Sequence, residues 1–93
     1  MYYVLLHHIV ANYDEFKSVY DLDIPHRHRR GSHSARLLRK VGDSNDLTML
    51  FEFDDAERAR MFATSVELED AMKWASAYKW EIDVLEEIER DEA

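Results

Sequence analysis

The chain has 93 residues, of which 46% are hydrophobic and 34% are charged, and this composition is typical of one globular domain rather than of a disordered segment. Its formal net charge of −8 argues against binding to nucleic acid, because an acidic surface repels phosphates. No apolar run approaches the roughly 20 residues that cross a membrane. The sequence contains no cysteine, which excludes disulfides, zinc–thiolate sites and a cysteine nucleophile. We expect a soluble, cytoplasmic protein.

The first third of the chain predicts a strand followed by two helical pieces. Tyr2–Val10 (YYVLLHHIV) is rich in β-branched and aromatic residues, as strands are. Asn12 followed by Glu15 three residues later is a capping pattern for a helix N-terminus. The apolar residues that follow share one helical stripe: Tyr13, Phe16, Val19 and Tyr20. Proline disfavours helix at the preceding residue, so we expect a break there and a second helical piece over Pro25–Gly31.

The rest of the chain predicts a β-hairpin, two more helical pieces and a last strand. The hairpin covers Ala35–Phe53, with its turn at Gly42–Asp46 (GDSND). The segment Asp54–Ala63 begins with acidic residues that suit a helix N-terminus, and Ser65 is a candidate cap for a further helix. The last strand is predicted over Trp80–Ile88.

These elements define an α+β fold of ferredoxin-like order, β-α-β-β-α-β, with four antiparallel strands. We expect a single domain over residues 1–88 and an acidic, frayed tail over residues 89–93. Both helical layers lie on one face of such a sheet, which leaves the other face bare. The strands carry apolar residues on both faces, and a strand of this kind needs cover on both sides. A second copy packed sheet to sheet supplies that cover, so we expect a homodimer through the open sheet face.

Three stretches of the sequence resemble a known group of proteins: HHIVANYDEF, SARLLRKVGDSNDLTMLFEFDD and FATSVELEDAM. They resemble the dimeric α/β-barrel superfamily, and within it the small proteins grouped with the antibiotic-biosynthesis monooxygenases and called "cyclase-like". The resemblance covers nearly the whole chain. It implies a dimeric α/β barrel with a pocket in each subunit, between the sheet and the helices. It specifies chemistry poorly, because the superfamily includes oxygenases, isomerases and haem proteins.

Carried onto this sequence, the resemblance places His7, Phe53 and Met72 around the pocket, with Phe16 and Tyr20 as a lid or wall. In this assignment the odd-numbered residues of the first strand face the helices and the even-numbered ones face the partner sheet. Successive strand side chains point to opposite faces, so the two adjacent histidines cannot share a site. We expect His7 to be the general base or polarising group of an enzyme. The alternative is a buried histidine that bonds to a tyrosine hydroxyl, that of Tyr20 or Tyr78.

The other histidine of the pair, His8, is expected to have a structural role. Inside the dimer barrel it would pair with Glu52, with Asp83 or with its own symmetry mate. A shift of the strand by one residue would exchange the roles of His7 and His8.

The basic segment His26–Arg30 (HRHRR) allows two interpretations. It complements the dipole at a helix C-terminus, or it forms a rim that attracts an anionic, carboxylate-bearing substrate. Its histidines lie on different sides of a helix, so we expect no metal site. The iron-ligating histidine of haem-degrading relatives is replaced by Met72, and no glycine-rich loop is present for a flavin or nicotinamide cofactor.

We therefore expect a cofactor-free monooxygenase-like or cyclase-like enzyme. Its substrate would be a small apolar or aromatic molecule. The alternative is a non-catalytic dimer that binds a small molecule or has a purely structural role.

Overall fold

A computed structural model describes all residues, 1–93, and confirms the predicted α+β ferredoxin-like arrangement. Four strands form one sheet in the order β2-β3-β1-β4, and every neighbouring pair is antiparallel. The strands are β1 (Tyr2–Val10), β2 (Ser34–Arg39), β3 (Asp46–Phe53) and β4 (Ala77–Glu86). No helix is long and apolar enough to span a membrane.

Four short helices connect the strands: α1 (Tyr13–Leu22), α2 (Ile24–Arg29), α3 (Ala56–Ala63) and α4 (Val66–Trp74). Three of them begin at a polar cap whose side-chain oxygen accepts a hydrogen bond from a backbone N–H of the first turn. Asn12 caps α1 at 3.0 Å and Asp55 caps α3 at 2.7 Å. Ser65 caps α4 at 3.2 Å. The caps predicted at Asn12 and Ser65 are thereby confirmed.

The break between α1 and α2 falls at Asp23, two residues before Pro25. Proline has no N–H to donate into a continuing helix, and it occupies the first turn of α2 instead. The predicted break is present one residue earlier than expected, and the second helical piece covers Ile24–Arg29 rather than Pro25–Gly31. Gly31, at φ +100°, ends this region in the left-handed conformation that glycine adopts at low cost.

The last strand differs from the prediction at both ends, since it runs over Ala77–Glu86 rather than Trp80–Ile88. Ser76 takes a left-handed conformation, at φ +62°, and turns the chain from α4 straight into the strand. A shift in the pairing with β1 at Ile9 and Val10 accommodates this early start. Residues 87–93 form neither helix nor strand.

The face assignment predicted for β1 is wrong. Its even-numbered residues lie under the helices: Val4, Leu6, His8 and Val10 are at most 1% exposed. The reason is the pairing with β3, which aligns Val4 with Phe51 and Leu6 with Met49, and these β3 residues belong to the buried core beneath the helices. Residues paired directly across a sheet point to the same face.

No helix packs on the opposite face of the sheet. At one end of it the C-terminal segment reaches Tyr3, whose hydroxyl donates to Glu87 and accepts from Arg90, both at 2.9 Å. The apolar side chains of this face come from all four strands and include Leu5, Ile9, Leu38, Leu50 and Leu85. Two of them are strongly exposed, Leu38 at 51% and Leu85 at 41%. We call this surface the open sheet face.

Candidate active site

A small cavity of about 30 Å³ lies between the sheet and helices α1, α2 and α4. Since a buried water needs roughly 10–15 Å³ of such space, the cavity has room for about two water molecules. Its wall is mainly apolar and includes Leu6, Phe16, Val19, Tyr20, Met49, Phe51, Leu68, Ala71, Met72 and Ala75. The polar residues of the wall are His8, Asp23 and Arg27. The position of the cavity is the one that the sequence resemblance implies.

The structure brings three of the five predicted site residues to this cavity: Phe16, Tyr20 and Met72. Phe53 is absent from the wall, although it is fully buried and points to the same face of the sheet. It packs against Phe62 of α3 instead, with ring centroids 5.5 Å apart. Phe51, two residues earlier on the strand, lines the cavity in its place.

His8, rather than His7, faces the cavity. It is 1% exposed, and the Phe16 ring meets its imidazole edge-on at a centroid distance of 5.0 Å. Neither ring nitrogen has a hydrogen-bond partner. Burial, and to a lesser degree the neighbouring His7, lowers the pKa of His8 from 6.5 to about 4. The imidazole is therefore neutral at pH 7 and carries one free N–H and one free lone pair.

His7 lies on the open sheet face, where its Nε2 is 2.7 Å from Oδ1 of Asp46. The alternative partners predicted for it, the hydroxyls of Tyr20 and Tyr78, are therefore wrong. The pairing of His8 with Glu52 or Asp83 is wrong for the same reason. Both carboxylates belong to open-face positions, opposite Tyr3 and Leu5 of β1.

Arg27 is the site residue that the sequence reasoning did not single out. Arg27 is only 6% exposed. Its guanidinium carbon lies 4.2 Å from the Tyr20 ring centroid and 5.6 Å from the Phe51 ring centroid. Nη1 donates to the backbone oxygen of Tyr20 at 2.8 Å and lies 3.6 Å from Oδ2 of Asp23. A signal was present: Arg27 continues the helical spacing of Phe16, Tyr20 and Asp23 past the break at proline.

The other residues of the basic segment do not line the cavity. His28 and Arg29 are exposed. Arg30 donates to Glu67 at 2.8 Å, and His26 lies 3.0 Å from Asp23. Four residues of the segment, His26–Arg29, form the last turn of the short helix α2, where positive charge complements the helix dipole as the first interpretation expects. No group of three or more histidine, aspartate and glutamate side chains is placed to hold a metal ion.

Comparison with known proteins establishes the class of fold. No family model and no curated protein matches the sequence, but solved structures match over almost the whole chain. The fold is that of the antibiotic biosynthesis monooxygenases, as the sequence resemblance predicts.

Three solved structures illustrate the similarity. SnoaB from Streptomyces nogalater, described as a cofactor-independent oxygenase, is 15% identical, with a TM-score of 0.77 over 99% of this chain and 96% of that one. A structure from Bordetella bronchiseptica, described as a candidate antibiotic biosynthesis monooxygenase, is 14% identical, with a TM-score of 0.76 over 94% and 96% of the two chains. A conserved protein from Methanosarcina mazei is 18% identical, with a TM-score of 0.72 over 90% and 89%. At these identities the similarity concerns the fold alone.

Proposed function

We propose that this chain is a cofactor-free monooxygenase-like or cyclase-like enzyme that acts on a small apolar or aromatic molecule, with His8 as its base. The observation that carries the proposal is the buried, unpartnered imidazole of His8 in an otherwise apolar cavity. Buried polar side chains are normally hydrogen-bonded, so an imidazole with two free nitrogens calls for a partner that arrives from outside. The similarity in fold to SnoaB, described as a cofactor-independent oxygenase, supports the choice of reaction class.

The chemistry proposed for His8 is proton removal from an enolisable or phenolic group. The free lone pair of the imidazole takes the proton, and the electron pair stays on the ligand as an enolate or phenolate. In the monooxygenase reaction this anion reacts with dioxygen to form a hydroperoxide, and loss of water leaves one oxygen atom on the ligand, which is itself oxidised from a phenol to a quinone. In the cyclase reaction the anion attacks a carbonyl group of the same molecule, and the alkoxide that forms takes the proton back from His8. The low pKa of His8 makes it a weak base in the empty cavity, and an anion formed beside it raises the pKa.

The size of the cavity requires that the structure open before an aromatic molecule enters. Tyr20 is the proposed lid, because it is half-buried and contributes to both the cavity and an adjoining cleft. Its ring stacks on Phe16 at a centroid distance of 5.6 Å. Rotation of the Tyr20 side chain would join the cavity to the cleft without moving the sheet.

We also propose that two copies associate through the open sheet face. Leu38 and Leu85 are exposed there at 51% and 41%, and burial of such side chains stabilises an interface by roughly 25 cal/mol per Å² of apolar area. The remaining side chains of that face include His7, bonded to Asp46. The proposed roles of the two histidines are thus exchanged: His7 belongs to the dimer face and His8 to the site.

A second candidate is a non-catalytic dimer that binds a small molecule or has a purely structural role. The small volume of the cavity favours the structural role, since the closed structure holds nothing larger than about two waters. Both candidate functions are compatible with the same fold. They differ in whether the protein converts a bound molecule to a product.

Oxygen consumption and product formation, measured with a panel of phenols and 1,3-diketones, separate the two candidates. If the chain is an enzyme, the wild type turns over at least one compound, His8→Leu loses this turnover, and the matched variant His7→Leu keeps it. Circular dichroism checks that both variants fold. Turnover that survives in His8→Leu contradicts the proposed base, and binding without turnover in the wild type favours the second candidate.

A further inference from the structure

A second depression, an open cleft of about 310 Å³, adjoins the cavity. Its polar wall comes from the end of α2, the turn that follows it and the first residue of β2: Arg27, His28, Ser32, His33 and Ser34. Tyr20 and Arg27 line both the cleft and the cavity. These two side chains therefore form the partition between an apolar interior and a polar entrance.

The cleft has a charge that contrasts with the rest of the chain. The sequence contains 20 aspartates and glutamates against 12 lysines and arginines, yet no acidic residue lines the cleft. Arg27 supplies a permanent positive charge, and His28 supplies an exposed imidazole. Nε2 of His33 lies 2.5 Å from Oδ2 of Asp54, which does not line the cleft. The carboxylate of Asp54 therefore offsets any positive charge that His33 would add to the cleft. An anion is the ligand that this wall favours.

The guanidinium of Arg27 is fixed in place but has spare donors. Nη1 alone donates within the protein, to Tyr20, and the rings of Tyr20 and Phe51 flank the guanidinium carbon. Asp23 lies at 3.6 Å, beyond hydrogen-bond distance, and shares its carboxylate with His26. An arginine presents five N–H donors in a planar fork that matches a carboxylate. Because the guanidinium is already held in place, binding of a carboxylate to its free donors costs little conformational entropy.

We propose that this cleft binds the carboxylate of an apolar or aromatic monocarboxylic acid through Arg27, with the ring of the acid directed past Tyr20 toward His8. Arg27 is the one permanent positive charge of the cleft, and Asp23 partly offsets it. The cleft therefore suits a single negative charge better than the double charge of a phosphate ester. The placement of the ring rests on the proposed function, but binding of the carboxylate needs no turnover. The acid is thus the substrate class of the enzyme or the ligand class of a binding protein.

Isothermal titration calorimetry with 2-naphthoate at low salt tests the proposal. We expect the wild type to bind 2-naphthoate, and Arg27→Gln to bind it about tenfold more weakly or worse, since the variant loses the charge-assisted hydrogen bonds to the carboxylate. The matched control is Arg29→Gln, which removes the same charge from an exposed position of the same helix and leaves the affinity unchanged. The neutral analogue 2-naphthol binds at least tenfold more weakly than 2-naphthoate.

Because Arg27 is buried, Arg27→Gln also requires a test of folding. If it unfolds, Arg27→Lys and His28→Gln replace it: the lysine keeps the charge but loses the fork, and His28 is exposed. Both are expected to weaken binding of 2-naphthoate severalfold. Equal affinity in wild type and these variants, an equal loss in Arg29→Gln, or inorganic phosphate bound as tightly as 2-naphthoate overturns the proposal. Turnover of neutral compounds with no binding of 2-naphthoate refutes the carboxylate site and leaves the proposed reaction standing.

Discussion

The Phe16 ring stands perpendicular to the His8 imidazole, with 88° between the two planes and 5.0 Å between their centroids. Edge-to-face geometry of this kind is favourable between aromatic rings, and here it fixes the plane of an imidazole that no hydrogen bond holds. Phe16 therefore orients the proposed base as well as filling the core.

Truncation of Phe16 is expected to destabilise the fold strongly. The side chain is 2% exposed, and removal of a buried phenylalanine ring typically costs 3–5 kcal/mol. For Phe16→Ala we expect the free energy of unfolding, measured by urea titration, to fall by about 3 kcal/mol or more. Leu22→Ala, at an 80% exposed position of the same helix, should change it by less than about 0.5 kcal/mol. Similar losses in the two variants would contradict the packing described here.

The stability of the fold is expected to fall with pH because of His8. Its pKa is about 4 in the folded chain against an ordinary 6.5, so the unfolded chain binds more protons between these values. Stability is lost as the pH falls from 6.5 toward 4, and the loss is complete below about pH 4. This difference in pKa corresponds to about 3 kcal/mol. Three other charged or titratable groups lie near His8. Asp23 and Arg27 line the same cavity, and His7 precedes His8 in β1.

Urea unfolding at several pH values isolates this contribution. The variant His8→Phe should lack this part of the pH dependence, whereas His28→Gln, at an exposed position, should follow the wild type. A pH profile of His8→Phe that parallels the wild type between pH 4 and 6.5 would assign the dependence to other groups.

A charge placed at the centre of the open sheet face is expected to separate the proposed dimer. Leu50 lies on that face of β3, opposite Leu5 of β1, and a carboxylate there would be buried without a partner in a sheet-to-sheet contact. We expect Leu50→Asp to be a monomer by sedimentation where the wild type is a dimer. Leu22→Asp, on an exposed helix position, should keep the wild-type mass. A wild type that sediments as a monomer refutes the proposed association.

The cap of α3 offers a test that is independent of the site. Asp55 accepts hydrogen bonds from the backbone N–H groups of Glu57 and Arg58, at 2.7 and 3.4 Å. Loss of a cap of this kind typically costs about 1 kcal/mol, and this is the decrease we expect for Asp55→Ala in thermal or urea unfolding. Asp70→Ala, at an exposed position inside α4, removes a carboxylate without removing a cap and should have a smaller effect.

The sequence predicts the features of this fold that are local in origin. The strand Tyr2–Val10, the caps at Asn12 and Ser65 and the break near Pro25 depend on residues a few positions apart, and their physical causes are visible in the sequence. The start of β4 is local as well, but its turn is made by Ser76 at a positive φ. Serine carries no strong signal for that conformation.

The features that the sequence could not settle depend on contacts between distant residues. Both faces of β1 are apolar, so only its pairing with β3 decides that His8, and not His7, lies under the helices. In the same way, Phe62 covers Phe53 and leaves Phe51 to line the cavity. Arg27 is buried because α2 folds back over Tyr20, which composition alone does not indicate.

The unpartnered imidazole of His8 also means that this fold is less stable than its own core allows. An unsatisfied buried polar group typically costs 1–3 kcal/mol, whereas leucine at the same position would add apolar contacts and leave no unpaired nitrogen. At neutral pH the variant His8→Leu is therefore expected to unfold at a higher urea concentration than the wild type. Residues that lower stability and have no structural role tend to occur at functional sites. His8 is such a residue, and it belongs to the core of this fold.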